Sequence, residues 1–292
     1  MSIENDNKRK IYINEKGSSK SLSFLYHNIF GRMILKALVN PCVSKIGGKF
    51  LNTRFSKRYI SSFVKKNNIN LDDYENRDYT SYNDFFTRKI KEGKRIVDTN
   101  PNSFISPCDS KISVYNIDET SSFKIKDTYY TLKDLLESNE IYKEYINGLC
   151  LIFRLAVDDY HRYCYIDDGN KGKNIFIKGK LHTVQSIALE RYNVYKTNSR
   201  EYSTLHTKNF GDIIQVEIGA LMVGKIVNYH EEYNFKKGEE KGRFEFGGST
   251  IVLLVKKDMV DIDEDILINS LNGDETIVKY GERIGSKHEK IG

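Results

Sequence analysis

No stretch of 18 consecutive apolar residues exists anywhere in the chain, so no segment is expected to cross a bilayer as a helix. Tryptophan is absent, and with lysine, asparagine, isoleucine and tyrosine abundant this reflects an AT-rich coding sequence and says nothing of function. Cysteine is scarce: Cys42, Cys108, Cys150 and Cys164 lie far apart with no C-x-x-C pair. That spacing argues against structural zinc, no metal is expected, and free thiols in a reducing compartment fit it best. The start, Met1-Ser2-Ile3-Glu4-Asn5-Asp6-Asn7-Lys8, is polar, so no signal peptide is expected. RNA-binding and zinc-finger patterns are missing and the basic residues are scattered, which makes nucleic acid the weaker choice of partner.

What remains is 292 residues with 39% hydrophobic and 29% charged side chains, enough for a sizeable core in one large domain or two small ones. A net charge of +6 permits an anionic partner such as an acidic membrane surface. From Ser21 to about Asn70 the pattern is helical. Leu22, Leu25, Tyr26, Ile29, Met33, Ile34, Ala37 and Leu38 recur at steps of three and four, and Pro41 ends the run. A second helical stretch runs from Phe55 to Lys66, with Lys57, Arg58, Lys65 and Lys66 around Tyr59, Ile60 and Phe63, and Gly47-Gly48 reads as a break between the two. Such faces either pack on a core or rest on an anionic bilayer, and both hold if only part of the face is buried.

From Phe104 onward the rhythm changes to short strands separated by Gly, Asp and Asn, with one helical insert at Tyr130 to Glu137. Leu149 to Val157 reads as a buried strand, and Asp212 to Ile218 partly alternates, continued through Gly219 to Ile226. The class predicted is α+β: N-terminal amphipathic helices followed by a mostly antiparallel β core. Its division falls into a helical, membrane-facing region at 1–95 and a β-rich core at 96–292.

The chain is organised around Phe244-Glu245-Phe246-Gly247-Gly248-Ser249-Thr250, which runs into Ile251-Val252-Leu253-Leu254-Val255. The glycines open backbone conformations closed to other residues, and the β-branched run reads as a buried strand holding Ser249 at its start. One reading is a hairpin or bulge turned by Gly-Gly and capped by Ser-Thr. The other is chemical: Ser249 Oγ attacks the Gly248 carbonyl carbon and converts the peptide bond into an ester.

Five segments in order choose between these readings. Asn83-Asp84-Phe85-Phe86-Thr87-Arg88, Ser106-Pro107-Cys108-Asp109-Ser110 and Asp159-Tyr160-His161-Arg162 come first. Val216-Glu217-Ile218-Gly219-Ala220 with Val223-Gly224-Lys225-Ile226, and Phe246-Gly247-Gly248-Ser249-Thr250, complete the set. Together they resemble the phosphatidylserine decarboxylase family, pyruvoyl-dependent enzymes that make phosphatidylethanolamine, over nearly the whole chain from Ser21. The resemblance implies autocatalytic cleavage between Gly248 and Ser249, a pyruvoyl group derived from Ser249 and two chains that stay associated.

The resemblance further implies an Asp–His–Ser relay in which Asp109 and Ser249 match the family residues; a carboxylate orients the base that deprotonates the hydroxyl. Many members read His-Arg-x-His, whereas this chain reads His161-Arg162-Tyr163-Cys164, so Cys164 stands where the second His is expected. The base is then His161, which is favoured, a Cys164 thiolate, or His182. Arg162 and Arg200 are the candidates for substrate phosphate. The substrate implied is phosphatidylserine on an anionic membrane surface, at the cytoplasmic side of the cell membrane, with a homodimer left open. Two alternatives are a pyruvoyl enzyme acting on a small amino acid and an uncleaved lipid-binding relative.

Overall fold

The computed structural model describes residues 9–12, 20–125, 128–138, 140–183, 194–220, 225–245, 247 and 249–289. Helices α1 (Lys20–His27), α2 (Ile29–Leu38) and α3 (Pro41–Leu51) follow one another. Asn28 Oδ1 accepts the Phe30 amide and Asn40 Oδ1 the Cys42 amide, each at 2.9 Å, so side chains satisfy amides that a helix start leaves open. Pro41 thus begins α3, at the position where a missing N–H costs nothing. Gly47 and Gly48, expected as a break, lie inside α3. A glycine costs about 1 kcal/mol in a helix interior, but once the cap has fixed the first turn each further residue adds a hydrogen bond. Helix α4 (Ile60–Lys66) follows a 3-10 turn, and Ser81 caps α5 (Tyr82–Phe86) by accepting the Asp84 amide at 3.1 Å. The helical insert near Tyr130 shortens to α6 (Leu132–Leu136), because Thr131 caps it and leaves Tyr130 in a strand. Two more helices are α7 (Val194–Thr197) and α8 (Glu264–Leu271).

Helices α1 and α2 meet at Gly31, where a Cβ would lie 2.0 Å from the Phe24 carbonyl oxygen, so only glycine permits this approach. The pair buries Tyr26 and Leu35 and leaves Ile29, Phe30 (71% exposed), Met33 and Ile34 in solvent. No helix among the described residues is long and apolar enough to cross a membrane.

The strands in chain order are β1 (Ile11–Tyr12), β2 (Ser103–Ile105), β3 (Ser110–Asn116), β4 (Ser122–Ile125), β5 (Thr128–Thr131), β6 (Leu149–Leu155), β7 (Arg162–Cys164), β8 (Gly169–Lys171) and β9 (Ile175–Ile177). They continue with β10 (Arg200–Thr207), β11 (Gly211–Ile218), β12 (Lys225–Asn228), β13 (Tyr233–Phe235), β14 (Glu240–Glu245), β15 (Ser249–Val255), β16 (Val260–Ile262), β17 (Glu275–Val278) and β18 (Arg283–Lys287). The main sheet is antiparallel, in the order β1-β17-β3-β6-β15-β11-β10-β8-β13, with β9 also pairing β10. Smaller sheets are β12-β14-β7, β16-β18-β2 and the hairpin β4-β5. With helices gathered at the N-terminus and antiparallel strands after them, the class is α+β.

Strand β15 lies between β6 and β11 and is buried along its full length. Burying each of Ile251, Val252, Leu253, Leu254 and Val255 contributes roughly 1.5–3 kcal/mol, which fixes the strand that Ser249 begins.

Candidate active site

Ser249 opens β15 opposite Leu155 of β6. Gly247, at φ +121°, adopts a conformation that side chains resist; Gly248, on the other side of the expected cleavage bond, lies outside the described residues. Ser249 Oγ is fully buried and makes no hydrogen bond to the described residues.

His161 sits on the turn between β6 and β7, held by a 2.9 Å hydrogen bond from the Phe244 amide to its carbonyl. Its Nδ1 lies 2.9 Å from the Asp159 carbonyl oxygen, which assigns the proton to Nδ1 and leaves a lone pair on Nε2. Nε2 is buried and, like Ser249 Oγ, makes no hydrogen bond to a described residue. Phe86 packs on the ring with centroids 4.3 Å apart, and the Gly247 backbone lies close enough to favour the charged ring without reaching regular hydrogen-bond geometry. Burial, helped by Arg88 and Lys111, outweighs both backbone groups and lowers the His161 pKa to about 3. The imidazole is neutral at physiological pH. Through Gly247 it stands two residues along the chain from Ser249.

Asp109 is not hydrogen-bonded to His161. Arg95 donates to it from Nε at 2.9 Å and Nη2 at 2.6 Å, the Tyr280 amide donates at 2.9 Å, and Lys279 Nζ lies 3.3 Å away. Burial pushes this carboxyl up, but Arg95, Lys279 and the Tyr280 amide together hold it below the usual range. Asp159 meets His161 through its backbone carbonyl. Its carboxylate accepts from Lys111 Nζ at 2.6 and 2.8 Å and from the Ala156 amide at 2.7 Å, and burial raises its pKa despite Lys111. Sequence reasoning gave Asp159, Lys111 and Arg95 no catalytic role, although Asp159 opens one of the five segments, two residues before His161.

Among the alternative bases, Cys164 is fully buried and its thiol is pushed up to about 12, so at neutral pH it is a thiol and not a thiolate. His182 lies under α1, with Nδ1 3.4 Å from the Tyr26 hydroxyl, and burial followed by Lys180 lowers its pKa to about 4. Asn198 joins the His182 and Gly219 carbonyls by 2.8 Å bonds, which keeps that loop at the Ser249 end of the sheet.

Both candidate phosphate-binding arginines are engaged inside the protein. Arg162 donates to the Thr87 carbonyl at 2.7 and 3.0 Å and to Glu240 at 2.5 Å. Arg200 donates to the Leu135 and Asp134 carbonyls at 2.6 and 2.7 Å, closing the open carbonyl end of α6. A guanidinium with such partners has a structural task already, so neither residue is carried forward as a phosphate ligand.

A polar network shares the Ser249 face of the main sheet. Glu217 pairs with Ile251, two residues from Ser249, and successive side chains alternate faces. Lys241 of β14 reaches Glu217 at 2.7 Å with both side chains wholly buried, and Gln215 and Asn228 bond the same carboxylate.

The family model described as phosphatidylserine decarboxylase matches residues 82–286. Phosphatidylserine decarboxylase proenzyme 2 of Clostridium acetobutylicum is 49% identical over 290 residues, covering 99% of each chain. The phosphatidylserine decarboxylase proenzyme of Clostridium kluyveri is 41% identical over 283 residues, 95% of this chain and 96% of the other. The proenzyme of that name from Clostridium tetani is 41% identical over 288 residues, 96% of each. The chain belongs to the phosphatidylserine decarboxylase family.

Proposed function

We propose that this protein converts phosphatidylserine to phosphatidylethanolamine and CO2, after cutting itself between Gly248 and Ser249. The carrying observation is Ser249 itself: a wholly buried hydroxyl without a hydrogen bond to the described residues, at the start of a rigid strand, two residues from a glycine that touches a neutral imidazole. His161 takes the hydroxyl proton on Nε2 while Asp159 O keeps Nδ1–H in place. Ser249 Oγ bonds to the Gly248 carbonyl carbon and the C–N bond breaks, giving an ester and a free amine. Elimination then leaves a Gly248 carboxylate and dehydroalanine, which water converts to a pyruvoyl group and ammonia. A ring with its pKa near 3 holds that proton only briefly, which suits an event that happens once per molecule.

The residues fit the group, because the side chain that would become it is already enclosed with its oxygen unengaged. Once formed, the pyruvoyl supplies an electron sink for loss of the substrate carboxylate. His161, against Phe86, is neutral with Nε2 bare, so it hands a proton to the product carbon only after first taking one at that atom. Residues 1–95 are read as the membrane-facing part. The exposed Ile29, Phe30, Met33 and Ile34, with exposed Arg32 and Lys36 beside them, support peripheral attachment to an anionic bilayer.

Intact mass tests this directly. Purified protein should consist of two chains, 1–248 and 249–292, the smaller blocked to N-terminal sequencing, and should release CO2 from phosphatidylserine. Ser249→Ala should remain one chain of about 33.9 kDa. A single uncut parent chain would favour a lipid-binding relative, and turnover of free serine but not the phospholipid would favour a small-molecule decarboxylase.

A further inference from the structure

The cleft between α3 and the β12-β14 ribbon holds about 220 Å3 and is lined by Lys45, Gly48, Lys49, Asn52, Asn83, Lys225 and Glu245. Lys45 and Lys49 stand one helical turn apart on the same face, a like-charge arrangement that weakens a helix. Lys225 joins them from β12, directly across from Glu245. None of the three lysines forms an ion pair among the described residues, and Glu245, the one acid of the lining, is bonded to Arg243 at 3.3 Å. The cleft is therefore a concentration of unneutralised positive charge. Asn83 is more than nine-tenths buried; its Nδ2 donates to Asn52 at 3.0 Å while its Oδ1 makes no hydrogen bond to a described residue.

The floor is open for a reason that helix formation does not supply. Nothing lies within 4 Å of where a Cβ on Gly48 would stand, so alanine would fit there and strengthen the helix, and glycine instead leaves room between the two lysines. On the same helix Ile46 (69% exposed) and Phe50 follow Lys45 and Lys49 by one position each, so apolar side chains flank the charged mouth. On the opposite wall, only residues 246–248 separate Glu245 from Ser249.

We infer that this cleft binds the phosphodiester of the lipid headgroup: Lys45, Lys49 and Lys225 hold the anion, Ile46 and Phe50 face the acyl chains, and the amino-acid end points toward Ser249. This rests on the proposed decarboxylation and names its phosphate subsite. Point-charge lysines suit a phosphate group, and the volume admits that group with its attached carbons but not an acyl tail.

The test uses the purified, cleaved enzyme and dihexanoyl phosphatidylserine held below its micelle concentration, so that no bilayer is present. Lys45→Ala/Lys49→Ala/Lys225→Ala should raise KM at least about tenfold and leave kcat within about twofold. Gly48→Leu should raise KM likewise, while Gly48→Ala should leave the thermal midpoint unchanged or raised by about 2–4 °C, which separates a filled cleft from a damaged fold. Calorimetry with glycerophosphoserine should show binding in the parent and none in the triple variant, and inorganic phosphate should bind more weakly than the diester. Unchanged KM for the monomeric lipid, with activity lost only on anionic vesicles, overturns the proposal and gives the lysines to the bilayer. Phosphate binding as tightly as glycerophosphoserine also overturns it, in favour of a free-anion site. A parent that binds glycerophosphoserine at these lysines but releases no CO2 supports the site while refuting the decarboxylation.

Discussion

Lys241→Met tests whether the polar network beneath Ser249 is held by charge or merely tolerates it. Lys241 Nζ lies 2.7 Å from Glu217 Oε1 and 2.7 Å from Asn228 Oδ1, and neither member of the ion pair is exposed. Methionine keeps the length and removes the cation, leaving a buried carboxylate with Gln215 and Asn228 as its donors, at 2.9 and 3.3 Å. Removing one partner from such a pair costs about 3–5 kcal/mol, because the other charge stays buried without compensation. Lys241→Met/Glu217→Leu removes both charges and should recover most of that loss, leaving about 1–2 kcal/mol for the stranded amides. The assay is urea unfolding in a Ser249→Ala background, so that one uncut chain unfolds. A loss below about 1 kcal/mol, or a double variant no better than the single one, would refute the reasoning.

Cys164→Ser should be cut as fast as the parent, because a thiol pushed up to about 12 supplies no thiolate at pH 7; a time course of precursor and product after cell-free synthesis checks this, and loss of cleavage would return the base to Cys164. His161 has a folded pKa of about 3 against 6.5 when free, so its contribution to stability is complete above pH 6.5 and lost as pH falls toward 3, on the order of 5 kcal/mol in all. His161→Phe in the Ser249→Ala background should flatten that acid slope, and an unchanged slope would show that the ring is not buried neutral. Phe30→Asp/Met33→Asp should lower partition onto anionic vesicles at least about tenfold without altering the circular dichroism of the protein, and unchanged binding would take α2 off the membrane.

Strand β15 was legible because its β-branched run is a local signal, and the N-terminal helices because apolar residues recur at steps of three and four. The Gly47-Gly48 break was misread for an equally local reason: two weak helix formers stand out in a sequence, while the cap at Asn40 that starts the helix is a single hydrogen bond. The site was legible in its members and much less in its connections. That Asp109 turns to Arg95 and Lys279 and not to His161 depends on side chains 14 residues before it and 170 after it. Arg162 and Arg200 look like phosphate ligands in one dimension because nothing there shows Thr87, Glu240 or the end of α6 beside them.

One signal was present and passed over. Asp212 to Ile218 alternates only in part because Gln215 and Glu217 occupy core positions on the face that also carries Ser249. A carboxylate at the centre of a buried strand is costly unless something answers it, so its presence required a buried cation from another element. Lys241, on β14 shortly before the Gly-Gly-Ser stretch, is that cation. The pair ties β14, which precedes residues 246–248, to β11, which pairs with β15 beyond them, so the two strands flanking the expected cleavage bond are linked through one buried interaction.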